Sequence, residues 1–193
     1  MQRRTAIALG ITAAACVLTG FNVIRSPKDT TPEGVYLRIA NALGRGDVRL
    51  VFVHLDDQAR RACHAIRDHR QKASDRIQAS YPEPERSKLL ALYKAHAEAP
   101  DGADVWVEIA TRMGWIARLR RDLSGVADVV GAGAAGEQAA VETTRGARYT
   151  FRRRDDGTWG LSMFTAELIA EAERAARDWD VVERAALDYD RAR

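Results

Sequence analysis

Only two cysteines occur, Cys16 in an apolar N-terminal run and Cys63 in a helical pattern far along the chain. A pair so placed makes no disulfide framework, and neither has a second cysteine or a metal-ligand spacing beside it. Cys63 is therefore expected to be buried and inert rather than a nucleophile. An excess of charge of one sign is also missing. The net charge is +3, and 30 basic residues are interleaved with 27 acids, which leaves no basic stripe and excludes nucleic acid as an expected partner. Sequence motifs for common chemistries are absent as well: there is no HExxH, no Ser-His-Asp elbow and no nucleotide loop. Gly131 to Gly136, reading GAGAAG, lacks the Lys-Ser/Thr of a phosphate loop and does not open a helix, so a loose connection is expected there. No cofactor and no metal is expected.

Long uncharged runs are confined to one place. Met1-Gln-Arg-Arg precedes Ala6 to Ile24, about 19 residues that reach roughly 28 Å as a helix, the thickness of a bilayer core. Residues 1–25 thus read as a signal anchor or a signal peptide. Ala13-Ala14-Ala15 offers small residues for cleavage, and Cys16 after them is similar to a degenerate lipoprotein box. The apolar run continues past that point through Phe21, which favours an uncleaved anchor. All three alternatives export the rest of the chain, and Arg3 and Arg4 favour a cytoplasmic N-terminus. The expected location is a bacterial inner membrane, spanned once through residues 6–24, with the folded domain outside the cytoplasm. The bias to alanine and arginine points to a GC-rich bacterial genome and carries no mechanism.

The remaining chain, at 46% hydrophobic overall, suffices for one core of ordinary size. Residues 26–31 read as a linker, 32–164 as an α+β domain and 165–193 as a long amphipathic C-terminal helix. The strongest local signal is the stretch Ala147 to Phe164, where two runs of β-branched and aromatic residues flank Asp155-Asp156-Gly157. A two-residue turn would set Trp159 opposite Arg154 and mix apolar with charged residues on both faces. A three-residue loop with Gly157 left-handed pairs Phe151 with Leu161, Tyr149 with Met163 and Arg153 with Trp159, which gives one apolar face. The other face would carry Thr150, Arg152, Arg154, Thr158 and Ser162 into water, with Arg153 beside Trp159. A second loop, Thr144-Arg145-Gly146, pairs Val141 with Tyr149, Ala139 with Phe151 and Glu142 with Arg148. The result is an antiparallel meander from Glu137 to Phe164, preceded by a first strand at Gly125 to Val130, whose apolar side must be covered by helices.

Helix signals fill the rest. Thr31-Pro32-Glu33 caps and opens a helix burying Val35, Ile39 and Leu43. Gly44-Arg45-Gly46-Asp47 stops it and caps Val48 to Leu55, which explains the Arg-Gly-Asp triplet without cell adhesion. Asp56-Asp57 starts a long helix to Ser80 with Ala59, Cys63, Ile66, Ala73 and Ile77 at helical spacing. Pro82 and Pro84 break the chain, Glu85 to Ala97 resumes with Leu89, Leu92 and Tyr93 inward, and a stretch from Val105 to Leu123, with Met113 on its inner face, is divided by Gly114. Thr165 caps the terminal helix, whose seam is Leu168, Ala172, Ala175, Trp179, Val182, Ala186 and Tyr189. At about 40 Å it exceeds what a small sheet covers, so its end is expected to project, or to meet a protein partner or a second copy.

Of the titratable groups, His64 and Asp68 stand at i and i+4 and must share a helix face, the spacing of an acid–base pair or of part of a metal site; they are the candidate catalytic residues. Taken together, TPEGVYLRIANALGRGDV followed by a meander ending in DGTWGL resembles the nuclear-transport-factor-like superfamily, a cone-shaped α+β fold that includes the SnoaL-like cyclases. The resemblance covers Thr31 to Phe164, with Gly46-Asp47 as the turn after the first helix and Asp156-Gly157-Thr158-Trp159 as the final hairpin. Two departures stand out: the helical insert from Asp57 to Leu123 is too long, and the terminal helix is additional. Enzymes of that superfamily place His or Asp inside the cone, and no position here matches them, so the resemblance implies a fold and no activity. The expected function is a membrane-tethered, extracytoplasmic, non-enzymatic interaction or envelope-assembly module. The alternative is a small-molecule-binding protein or enzyme that uses the cone's cavity, and the two are separated by whether that interior is hollow or filled.

Overall fold

The computed structural model describes residues 28–132 and 136–192, and the expected membrane segment, residues 6–24, lies outside them. No described helix is long and apolar enough to cross a membrane. The architecture is α+β. Helices α1 (Pro32–Gly44), α2 (Val48–Val51), α3 (Asp57–Ser80), α4 (Glu85–Ala97), α5 (Gly102–Arg112) and α6 (Trp115–Asp122) precede strands β1 (Val126–Ala132), β2 (Gln138–Thr143), β3 (Arg148–Arg153) and β4 (Trp159–Leu161), and α7 (Thr165–Arg191) closes the chain. A 3-10 turn, Phe52–His54, follows α2 directly, so the segment expected as one helix from Val48 to Leu55 tightens halfway.

The caps explain the boundaries. The Thr31 hydroxyl accepts from the Gly34 amide at 3.1 Å, the Asp47 carboxylate from Leu50 at 3.1 Å and the Asp56 carboxylate from Ala59 at 2.7 Å, each satisfying an amide that the first turn leaves without a partner. Gly114 divides α5 from α6 with φ +70°, a left-handed residue that stops one helix and starts the next. Thr165, by contrast, is the first residue inside α7 rather than its cap.

The sheet is an antiparallel meander in the order β1-β2-β3-β4, with the register that facial consistency requires. Phe151 faces Leu161, Arg153 faces Trp159, Val141 faces Tyr149, Ala139 faces Phe151 and Glu142 faces Arg148. The last regular contact is the Ser162 amide on the Thr150 carbonyl at 2.8 Å. Strand β1 runs to Ala132, two residues further than expected, taking Gly131 into the sheet. Both hairpin glycines are left-handed, Gly146 at φ +78° and Gly157 at +79°. Gly157→Val should therefore cost roughly 1–3 kcal/mol, and Gly157→Asn clearly less, because asparagine tolerates this region and a β-branched residue does not. Urea midpoints of the two variants would check the order.

Val141, Tyr149, Phe151 and Leu161 form the buried face and pack with Val35, Tyr36 and Ile39 of α1 and with Trp106 and Ile109 of α5. The Tyr36 hydroxyl donates to the Ser124 carbonyl at 2.7 Å, and its ring meets Tyr149 edge-on at 5.0 Å. A second, smaller core lies away from the sheet. Ala73 and Ile77 of α3, Tyr81, Tyr93 of α4, and Val182 and Ala186 of α7 close it. Arg70 pairs with Asp178 at 2.6 Å and lies 4.4 Å over the Tyr93 ring, and Arg76 reaches Glu183 and Asp190 at 3.0 and 2.9 Å. The end of α7 therefore does not project, because the seam of small residues that the sheet leaves uncovered is taken up by α3 and α4.

Two residues expected inside lie outside, and one face expected in water is partly covered. Leu92 is 71% exposed, Met113 is exposed too, and the polar face of β3 is not simply solvated. Arg152 reaches the buried Asp56 at 3.4 Å and the Gln58 amide oxygen at 2.6 Å. The Arg154 side chain is only 10% exposed and donates to the carbonyls of Val53 and Leu55. These two carbonyls end the 3-10 turn, where no intrahelical donor is available. Arg154→Met keeps the aliphatic stem and removes the donors, so it should lose about 1.5–3 kcal/mol, measured by chemical denaturation.

Candidate functional site

The i, i+4 pair occupies one exposed face of α3, as spacing requires, without forming a joint site. Asp68 pairs with Arg67 at 3.2 Å. The His64 ring lies edge-on to Phe52 at 5.7 Å and sits where a Cβ on Gly102 would come, 2.9 Å away. No group of three or more His, Cys, Asp or Glu that could hold a metal ion occurs among the described residues. Cys63 is fully buried, and burial pushes its thiol up to about 12, so it carries no thiolate at neutral pH.

A different place gathers chemistry. A cleft of about 610 Å³ opens between α1, the 3-10 turn and the β3–β4 hairpin, a volume within the range of small-molecule sites. Arg38, Asn41 and Arg45 reach it from one face of α1, His54 from the end of the 3-10 turn, and Arg154, Asp156 and Thr158 from the hairpin, while Asp29 completes it from the segment before α1. That segment, read as a linker, is tied to the sheet: the Trp159 amide donates to the Asp29 carbonyl at 2.9 Å, and Arg38 pairs with the Asp29 carboxylate at 2.8 Å.

The carboxylates of the cleft are already engaged. The amide and hydroxyl of Thr158 donate to Asp156 at 2.8 and 2.6 Å and, with Arg154, hold its carboxyl below the usual range. This is an Asx turn around the left-handed Gly157. Burial pulls the Arg154 guanidinium down from its ordinary value, and it stays charged, as arginine does throughout the physiological range.

His54 is the buried titratable group of the site, 8% exposed. Burial lowers its imidazole pKa; Asp29 opposes the shift, and Arg38 and Arg154 reinforce it. The ring is therefore neutral at pH 7, with one nitrogen donating and the other accepting. Among the described residues its side chain makes no hydrogen bond. Below about pH 6.5 the unfolded chain takes up a proton at this position that the folded one resists, so stability falls as pH falls. His54→Phe should flatten the thermal-melting profile as pH falls below about 6.5, relative to the parent.

None of the residues of this cleft is a candidate from the sequence, because they come from four segments spread from Asp29 to Thr158 and share no motif. His54 alone leaves a trace, as a histidine inside the apolar run Val51-Phe52-Val53-His54-Leu55, four members of which are buried while Val53 is exposed. The interior between sheet and helices, the other place where a site was expected, is occupied by side chains. Trp115 stacks on Phe164 at 4.5 Å, and Trp106 lies 5.8 and 5.6 Å from them. Comparison of the chain with models of protein families, with curated proteins and with solved structures finds no match.

Proposed function

We propose that the protein is a membrane-tethered binding module, held outside the cytoplasm by residues 6–24, and not a catalyst working in an enclosed cone. The observation that carries the reading is the filled interior: Tyr36, Trp106, Tyr149, Phe151 and Phe164 are each under 2% exposed, which leaves side chains where an enclosed catalytic cavity would need space. A likeness to that superfamily remains part of the proposal. The tether rests on the uncharged run behind Arg3 and Arg4. Any partner of α7 is left with its outer face, where Val181 and Leu187 are exposed, since the inner seam is taken by α3. Fractionation combined with protease accessibility tests the location. The protein should pellet with membranes and be digested in spheroplasts without lysis, and a soluble, protected pool would overturn the reading.

A second reading, binding of a small molecule, is favoured by the cleft. Its volume and its buried, unbonded imidazole are the features of a ligand site.

A further inference from the structure

We propose that the cleft between α1, the 3-10 turn and the β3–β4 hairpin binds a small organic oxyanion, a carboxylate or a phosphate monoester, through Arg45 and His54. The proposal deepens the small-molecule reading and rests on it.

Charge distribution selects the ligand class. Three guanidinium groups and two carboxylates line the cleft, but they are not equally available. Asp29 pairs with Arg38, Asp156 is occupied by Thr158, and Arg154 is held by two backbone carbonyls. Arg45 is different: it lies in the C-cap of α1, exposed at the rim, and its side chain makes no ion pair or hydrogen bond among the described residues. A planar fork of donors with no partner matches a carboxylate or phosphate, which it can meet with two parallel hydrogen bonds. At the buried end, His54 offers one N–H and one acceptor nitrogen, enough for the far end of a ligand carrying both an oxygen and a hydroxyl. Leu50 and Val53 give the body of the ligand an apolar wall.

The opposing groups fit the same class. A cationic ligand would have to displace Arg38 from Asp29 or Thr158 from Asp156, and in either case would lie beside unpaired positive charge. A neutral ligand would leave Arg45 unused. An inorganic anion alone would fill a small part of about 610 Å³, so the oxyanion is expected on a larger frame.

The full chain in detergent micelles, titrated with benzoate, phenyl phosphate and neutral benzamide and followed by NMR of the histidine rings, provides the test. Benzoate or phenyl phosphate should shift the His54 ring signals at millimolar concentration, and benzamide should bind at least roughly tenfold more weakly, as expected when one charge-assisted hydrogen bond is lost. Arg45→Ala should weaken the better oxyanion by a similar factor, while Arg120→Ala, an exposed arginine on α6 outside the cleft, should change it by less than about twofold. Which of the two oxyanions binds more tightly tells carboxylate from phosphate monoester. Equal affinity for benzamide and benzoate would overturn the oxyanion assignment and leave small-molecule binding standing. Shifts that vanish equally with Arg120→Ala would reduce the effect to general surface charge. No shift at His54 with any of the three would remove both readings.

Discussion

Gly160→Ala should cost about 3 kcal/mol or more, the upper end of what overpacking a core costs. Strand β4 is only three residues long, and its middle residue is crossed by the chain between the 3-10 turn and α3. The Asp56 amide donates to the Leu161 carbonyl at 3.0 Å, and Leu55 forms a parallel bridge with Leu161. A Cβ at position 160 would lie 2.6 Å from the Asp56 Cα, 2.7 Å from its nitrogen and 2.8 Å from the Leu55 carbonyl oxygen. All three are backbone atoms, so no rotamer relieves the contact, and the segment itself must move. That segment also carries the cap of α3 through Asp56 and accepts the Arg154 guanidinium at Leu55, so separating it from β4 loosens several contacts at once. Gly131→Ala supplies the control. Nothing lies within 4 Å of its Cβ position, and the change should stay within about half a kcal/mol. Urea unfolding of both variants decides the matter: equal midpoints would mean that the close approach of Asp56 to β4 does not persist in solution.

Gly160 shows what kind of information the sequence carries. The hairpin around Gly157 was legible because register is a local question: turn length, one glycine and the alternation of Tyr149, Phe151, Trp159 and Leu161 suffice to choose between two pairings. Helix boundaries were legible for the same reason, through Thr31, Asp47 and Asp56 as caps and Pro82 and Pro84 as breaks. Gly160 sits inside a strand pattern and looks like an interruption in it, and its purpose depends on Asp56, a hundred positions away. Arg154 was misplaced by the same kind of contact. Strand alternation puts it on the face away from the core, which is correct, but that face is covered locally by the 3-10 turn, whose carbonyls accept its donors.

The cleft was illegible for a stronger reason. Its charge pattern arises only after α1, the 3-10 turn and the hairpin have been brought together, and residues that are unremarkable in sequence, such as Asn41, Arg45 and His54, acquire chemistry from proximity. The terminal helix is an intermediate case. Its seam from Leu168 to Tyr189 followed from spacing alone, but the partner did not, because periodicity names the face that is buried and is silent about what buries it. Here α3 and α4 supply the cover, with Tyr81 donating to the Val182 carbonyl at 3.1 Å.

Trp106→Ala should cost about 3–5 kcal/mol and turn the filled interior into a hollow one. The indole is fully buried, in ring contact with Trp115 and Phe164, and part of the same core as the buried face of the sheet. Its removal takes away a large apolar area, and the surrounding rings, stacked on one another, relax only in part, so the loss combines transfer and cavity terms. Trp106→Phe should cost much less. The smaller ring keeps most of the volume, and the Nε1–H that it lacks meets no protein acceptor among the described residues, so no protein hydrogen bond is lost. Indole added to Trp106→Ala should raise its melting temperature and leave the parent unchanged, because a dry apolar cavity of this size takes up an aromatic guest and stabilises the folded state by mass action. This outcome bears on function directly. If the parent itself were stabilised by indole to the same extent, its interior would already be open to small molecules, and the filled core on which the binding-module reading depends would be wrong.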